Sequence, residues 1–159
     1  MDILDDDIIS LWKSLNQNNV QYIMVGGFAS VLYGVNRITH DVDIWIKDTL
    51  DNRRKIRATL KELGYGDFEE LESVQIVAGF STIYLKAGIE LDLMTNLKAF
   101  TQQDFDECFE KATIAEIENV QVRFLHINQL LTEKETNSRK KDLADVEELI
   151  EIIKLQSNS

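Results

Sequence analysis

The chain has 159 residues, 44% hydrophobic and 28% charged, with a formal net charge of −11. That length and balance predict one ordinary globular domain over 1–159, and no apolar run approaches the roughly 20 residues of a membrane helix. The acidity argues against general duplex nucleic-acid binding, which draws affinity from Lys and Arg neutralising phosphates, but leaves room for a local basic site.

The acidic start, MDILDDDIIS, lacks the positive opening of a signal peptide. The one cysteine, Cys108, allows no internal disulfide framework and fits a reducing compartment, so a cytoplasmic protein is expected. With only His40 and His126 beside that cysteine, a metal here would be held by oxygen, which suits magnesium or manganese.

In chain order, Ile8, Leu11, Trp12 and Leu15 recur at helical spacing behind Asp5-Asp6-Asp7, which predicts a helix with acids at its positive end. Tyr22 to Val25 reads as a strand ending at Gly26-Gly27, followed by a short helix from Phe28 to Tyr33 that closes at Gly34. Asp41 to Ile46 alternates, with Val42, Ile44 and Ile46 on one face and Asp41 and Asp43 on the other. Asp48 or Thr49 caps a helix whose apolar face is Ile56, Leu60 and Leu63.

Three strands follow, Ser73 to Ala78, Ser81 to Lys86 and Ile89 to Met94, the last two joined as a hairpin at Ala87-Gly88. Thr101 and Asp104 form a capping box before a helix carrying Phe105, Cys108 and Phe109. A second hairpin joins Thr113–Ile117 to Val120–Leu125, and two helices start near Asn128 and Ser138, the second with Leu143, Val146, Ile150 and Ile153 inside. The pattern predicts an α/β (α+β) fold: a mixed sheet flanked by helices, with a C-terminal helical pair.

Chemistry concentrates in two places. A Gly-Gly turn between strand and helix, Gly26-Gly27, lets a ligand approach the backbone, and the N–H groups of the new helix attract phosphate; an ordinary turn is the alternative. Asp41 and Asp43 sit two apart on a strand, so both carboxylates emerge on one face and repel unless a cation lies between them. Asp92 and Glu90 share one face of a later strand, where charge is costly without a partner. His126 and Cys108 read as structural, His40 as a structural or outer-shell group rather than a general base, and the run Arg53, Arg54, Lys55, Arg57 as a solvated helix face, with a nucleic-acid or partner surface the alternative.

This constellation resembles the polymerase-beta-like nucleotidyltransferase superfamily, in which a Gly-Gly or Gly-Ser turn precedes an Asp-x-Asp or Asp-x-Glu pair and a third carboxylate follows on a later strand. Gly26-Gly27, Asp41 with Asp43, and Asp92 match it in turn, with Glu90 the alternative third acid; the Gly27-to-Asp41 interval is at the long end of the pattern. The C-terminal run from Leu130 to Lys134 and then Arg139-Lys140-Lys141-Asp142-Leu143-Ala144-Asp145 is similar to the ending of small bacterial members, including relatives of abortive-infection toxin components.

The resemblance implies a catalytic core over about 20–97, a hairpin and helices over about 101–155, and transfer of an NMP from an NTP such as ATP to a hydroxyl acceptor. Asp41 and Asp43 would ligate two magnesium or manganese ions, Asp92 one. Gly26, Gly27, Ser30, Arg37, Thr39, Lys134, Arg139 and Lys141 would face the nucleotide; for Arg37 and Thr39 a surface loop, and for the C-terminal cations salt links to Asp142 and Asp145, are the alternatives. No acceptor-binding module is recognisable. A toxin–antitoxin or phage-defence component acting on a protein or RNA, and a non-catalytic nucleotide-binding protein, are the competing readings.

Overall fold

The structure is a computed structural model describing residues 5–77 and 81–158. The first helix, α1 (Asp6–Gln17), is capped by the Asp5 side chain, which accepts the Asp7 amide at 2.9 Å. It buries Ile8, Leu11, Trp12 and Leu15, the residues whose spacing predicted it. Strand β1 (Tyr22–Val25) runs straight into α2 (Gly26–Tyr33), which ends at Gly34 in the left-handed conformation. Strand β2 (Asp41–Ile46) leads to α3 (Leu50–Glu62), capped by Thr49. An edge hairpin, β3 (Thr82–Tyr84) and β4 (Glu90–Met94), follows. After the predicted capping box comes α4 (Phe105–Lys111), then the hairpin β5 (Thr113–Ile117) and β6 (Val120–Phe124), turning on Glu118 and Asn119 at positive φ. Helices α5 (Ile127–Asn137) and α6 (Lys140–Ser157) complete it.

The six strands form one mixed sheet in the order β3-β4-β2-β1-β6-β5. β2 pairs with β4 and β1 with β6 in parallel; the other neighbours are antiparallel. The period of two gives β2 a back face of Val42, Ile44 and Ile46, all buried. Its front face runs from Asp41 through Asp43 to Trp45, so it changes from acidic to aromatic along a single strand. Trp45 is sealed by Phe105 edge-on at 5.0 Å and bonds the Thr95 carbonyl at 2.7 Å. On α1, Trp12 packs edge-on to Phe28 and donates to the Met24 sulfur. The helix that opens the site is thereby fixed to the core.

Two expectations need correction, the strand at 73–78 and the buried face of α6. Residues 73–77 form no strand, and Ala78 lies outside the described residues. The segment follows a 3-10 turn at Glu69–Glu72, and Arg53 binds the Leu71 and Val74 carbonyls, so those backbone groups are paired without a ladder. The run Arg53 to Arg57 keeps to the expected solvated helix face, its members paired there with Asp48, Asp51, Asp67, Glu69 and Glu72. Finally, α6 is rotated from the expected face. Leu143 and Ile150 are exposed, whereas Asp142, Asp145 and Leu149 are buried. Cations waiting beneath the helix outweigh the apolar stripe.

One buried polar residue ties the sheet to α3. Asn52 accepts the Gln21 amide at 2.8 Å and donates to the Gln21 and Lys47 carbonyls, so it holds the entry of β1 to the exit of β2. Asn52→Leu strands three backbone partners and should lower the urea-unfolding free energy by about 2–4 kcal/mol; a loss under about 1 kcal/mol would mean water replaces the amide.

Candidate active site

The site begins with strand register. Because β2 and β4 are parallel neighbours, Asp41 stands opposite Glu90 and Asp43 opposite Asp92. β3 adds Thr82 beside Asp92, donating its hydroxyl to Asp92 Oδ1 at 3.2 Å. β1 brings Val25 beside Asp43, so the turn into α2 falls against the same carboxylate. Gly26 takes φ +70°, and a Cβ there would collide with Asp43 Oδ2. Glycine is required at this position both for its dihedral and for the room it leaves the acid.

Gly27 has a different reason. A Cβ on it would lie 3.0 Å from Arg37 Cζ and 3.2 Å from both terminal nitrogens. The guanidinium thus lies across the Gly27 backbone. No side chain caps α2, whose N-cap is Val25, so its first-turn amides stay available to an anion.

These groups line a cleft of about 480 Å³. Of the expected site residues, Gly26, Gly27, Arg37, Thr39, Asp41, Asp43, Asp92, Lys134, Arg139 and Lys141 all line it. Ser30 does not. It is buried in α2 under the cleft, with its hydroxyl 3.4 Å from Asp145 Oδ2. Glu90 shares the face of Asp92 but stays outside the lining, as does His40. His126 caps α5, its Nδ1 accepting the Asn128 amide, and Cys108 is packed in the core.

Lys134 and Arg139 carry the salt links foreseen as their alternative, and still border the cleft. Buried Lys134 lies 2.9 Å from Asp145 and 3.6 Å from Asp142. Arg37 meets Asp145 at 2.6 Å, and Arg139 meets Asp142 at 2.6 Å. Lys141 is exposed, with no ion pair among the described residues.

Sequence reasoning missed the far wall, made by Asn96, Leu97 and Lys98 with Glu133 and Asn137. Glu133 accepts the Lys98 and Ala99 amides and the Asn137 side chain, pinning that loop to α5. Only the position of residues 96–98 just beyond the third acid's strand hinted at this.

Electrostatically the front face is strained. Burial pushes the Asp43 carboxyl up to about 6, and the charges of Asp92 and Asp41 add to it, while Lys134 and Lys141 oppose. The donor set is all oxygen and anionic, suited to a hard divalent cation. As the side chains stand, no group of three acids, His or Cys among the described residues converges on one metal position.

The sequence matches, over residues 3–157, the model of a family described as nucleotidyltransferase of unknown function (DUF6036). The chain belongs to this nucleotidyltransferase family. No curated protein matches it. Solved structures share the fold. An antigenic nucleotidyltransferase-like protein from Paracoccidioides brasiliensis is 23% identical, with a TM-score of 0.56 over 95% of this chain and 77% of that one. The lincosamide antibiotic adenylyltransferase LnuA, lincomycin-bound, is 15% identical with a TM-score of 0.62 over 96% and 99%. The antibiotic-resistance factor ANT(2'')-Ia is 16% identical with a TM-score of 0.59 over 93% and 85%. In this nucleotidyltransferase, no helix among the described residues is long and apolar enough to cross a membrane.

The raised Asp43 pKa has a signed consequence without metal. The folded protein holds that proton above the unfolded value of 3.8, so stability falls as pH rises from about 4 to about 6 and then levels. Asp43→Asn should abolish this slope and raise stability at pH 7 by on the order of 2 kcal/mol. Thermal melts in EDTA across pH 4–8 read it out; a variant less stable at pH 7, with the slope intact, would refute the crowding of charge.

Proposed function

We propose that the cleft transfers a nucleoside monophosphate from an NTP to a hydroxyl acceptor, with magnesium or manganese bound at Asp41, Asp43 and Asp92. The observation that carries this is the β2–β4 register. It sets Asp43 beside Asp92 on one sheet face, against a glycine turn on one side and a cationic wall on the other.

Divalent metal, when bound, would supply the positive charge that offsets the crowded carboxylates and the phosphates. The chain's own residues supply the rest. Asp41 and Asp43 orient the ligand face, and the uncapped turn at Gly26 and Gly27 offers backbone amides to phosphate oxygens. Arg37, Lys134, Arg139 and Lys141 balance the triphosphate charge. Asp92 receives the acceptor's hydroxyl proton. The hydroxyl oxygen bonds to the α-phosphorus, the bond from that phosphorus to the α,β-bridging oxygen breaks, and pyrophosphate leaves. Among acceptor classes, the chain's charge of −11 disfavours a polyanion, and the lincomycin-bound neighbour supports a hydroxylated small molecule.

Two measurements test this reading. Calorimetry should show NTP binding at least about tenfold tighter with magnesium than with EDTA, since the carboxylate face alone repels phosphate. Equal affinities would remove the metal from the site. Asp92→Asn should keep most NTP affinity yet slow transfer by about 100-fold or more, the scale of a lost general base, while Glu90→Gln stays mild. Single-turnover assays of both variants decide it: a dead Glu90→Gln beside an active Asp92→Asn would exchange their roles.

A further inference from the structure

Asp145 is nearly fully buried in α6, yet it touches three other parts of the fold. Its Oδ2 lies 2.6 Å from Arg37 Nη1, 2.9 Å from Lys134 Nζ and 3.4 Å from the Ser30 hydroxyl. Arg37 comes from the loop before β2, Lys134 from α5 and Ser30 from α2. Two cations side by side repel and would spread apart. One carboxylate oxygen between them sets both positions. Asp142, equally buried, plays the corresponding part for Arg139, and also lies 3.6 Å from Lys134. Three cations against two buried acids leave one excess positive charge along this wall of the cleft.

Arg37 is held from two sides. Gly27 lies beneath its guanidinium and Asp145 takes one terminal nitrogen. Among the described residues that is its one hydrogen bond, so its other N–H groups remain uncommitted at the cleft wall. Lys134 likewise lines the cleft while its ammonium is anchored from behind.

We propose that Asp145 is a positioning residue: it acts through Arg37 and Lys134, holding both cations at the spacing that receives the triphosphate. The proposal rests on the triphosphate reading of the cleft. It makes a prediction opposite in sign to simple charge counting. A negative charge behind the phosphate site should weaken NTP binding, so its removal should strengthen it. If Asp145 instead positions two cations, removing it loosens both and binding weakens.

The experiment is calorimetry of ATP and AMP, with magnesium, on wild type, Asp145→Asn, Arg37→Ala and the double variant. Asp145→Asn is expected to lose at least about tenfold in ATP affinity and much less for AMP, the scale of a charged hydrogen bond. The double variant should lose less than the product of the single losses, because Asp145 acts partly through Arg37. Unchanged or tighter ATP binding, equal losses for ATP and AMP, or multiplicative losses would each overturn the proposal. Should Asp145→Asn fail to fold, Arg37→Lys answers in its place. It keeps the charge but loses the planar group clamped between Gly27 and Asp145, so ATP affinity should fall nearly as far as in Arg37→Ala; wild-type affinity would overturn the role. A wild-type protein indifferent to magnesium and ATP would break the triphosphate reading itself, whereas normal wild-type binding with insensitive variants would break this inference alone.

Discussion

Like charge gathered on one face of a sheet is the constraint around which this structure is arranged. Parallel pairing of β2 with β4 places Asp43 directly opposite Asp92, with Asp41 one row away. Carboxylates at that spacing, partly withdrawn from water, disfavour one another's ionisation: burial first, and then the charges of Asp92 and Asp41, push the Asp43 carboxyl up. Such an arrangement persists when the rest of the fold supplies compensation or when a ligand does.

The protein supplies part of that compensation through its C-terminal helices. Lys134, Arg139 and Lys141 arrive from α5 and α6, and Arg37 from the loop before β2. The cations do not simply neutralise the front-face acids. Most are tethered from behind by Asp142 and Asp145, which keeps them apart from Asp43 and leaves the cleft between the two charge layers open. An acidic floor facing a tethered cationic wall suits a ligand that carries both signs, such as a metal-complexed nucleotide. Buried ion pairs of this kind add little net stability compared with apolar packing. Their presence where α6 could have turned Leu143 and Ile150 inward is therefore better explained by the site than by the core.

The two glycines show how local geometry serves this arrangement. Gly26 yields space to Asp43 and adopts a positive φ that other residues take only with strain, whereas Gly27 yields space to the Arg37 guanidinium. Adjacent positions in one motif thus admit one acid and one base. The sharp entry from β1 into α2 is the backbone solution that allows both, and the packing of Trp12 on Phe28 keeps that helix from shifting.

Much of this was legible in the sequence, because its strongest signals are local. Period-two alternation placed Asp41 with Asp43 and Asp92 with Glu90 on their strand faces, and glycines and capping residues marked α2, α3 and α4 within a residue or two. Residues 73–77 misled because a short apolar run has no way to signal that Arg53, some twenty positions earlier, will take the Val74 carbonyl. Only the tertiary structure decided which acid of the β4 pair enters the cleft, since alternation cannot set the register between strands distant in the chain. The same holds for the rotation of α6: its apolar stripe is readable from spacing, but the cations that draw Asp142 and Asp145 inward come from a loop and a helix that meet it through folding alone. Short-range physics wrote the elements and the candidate acids; long-range pairing of strands and charges chose among them.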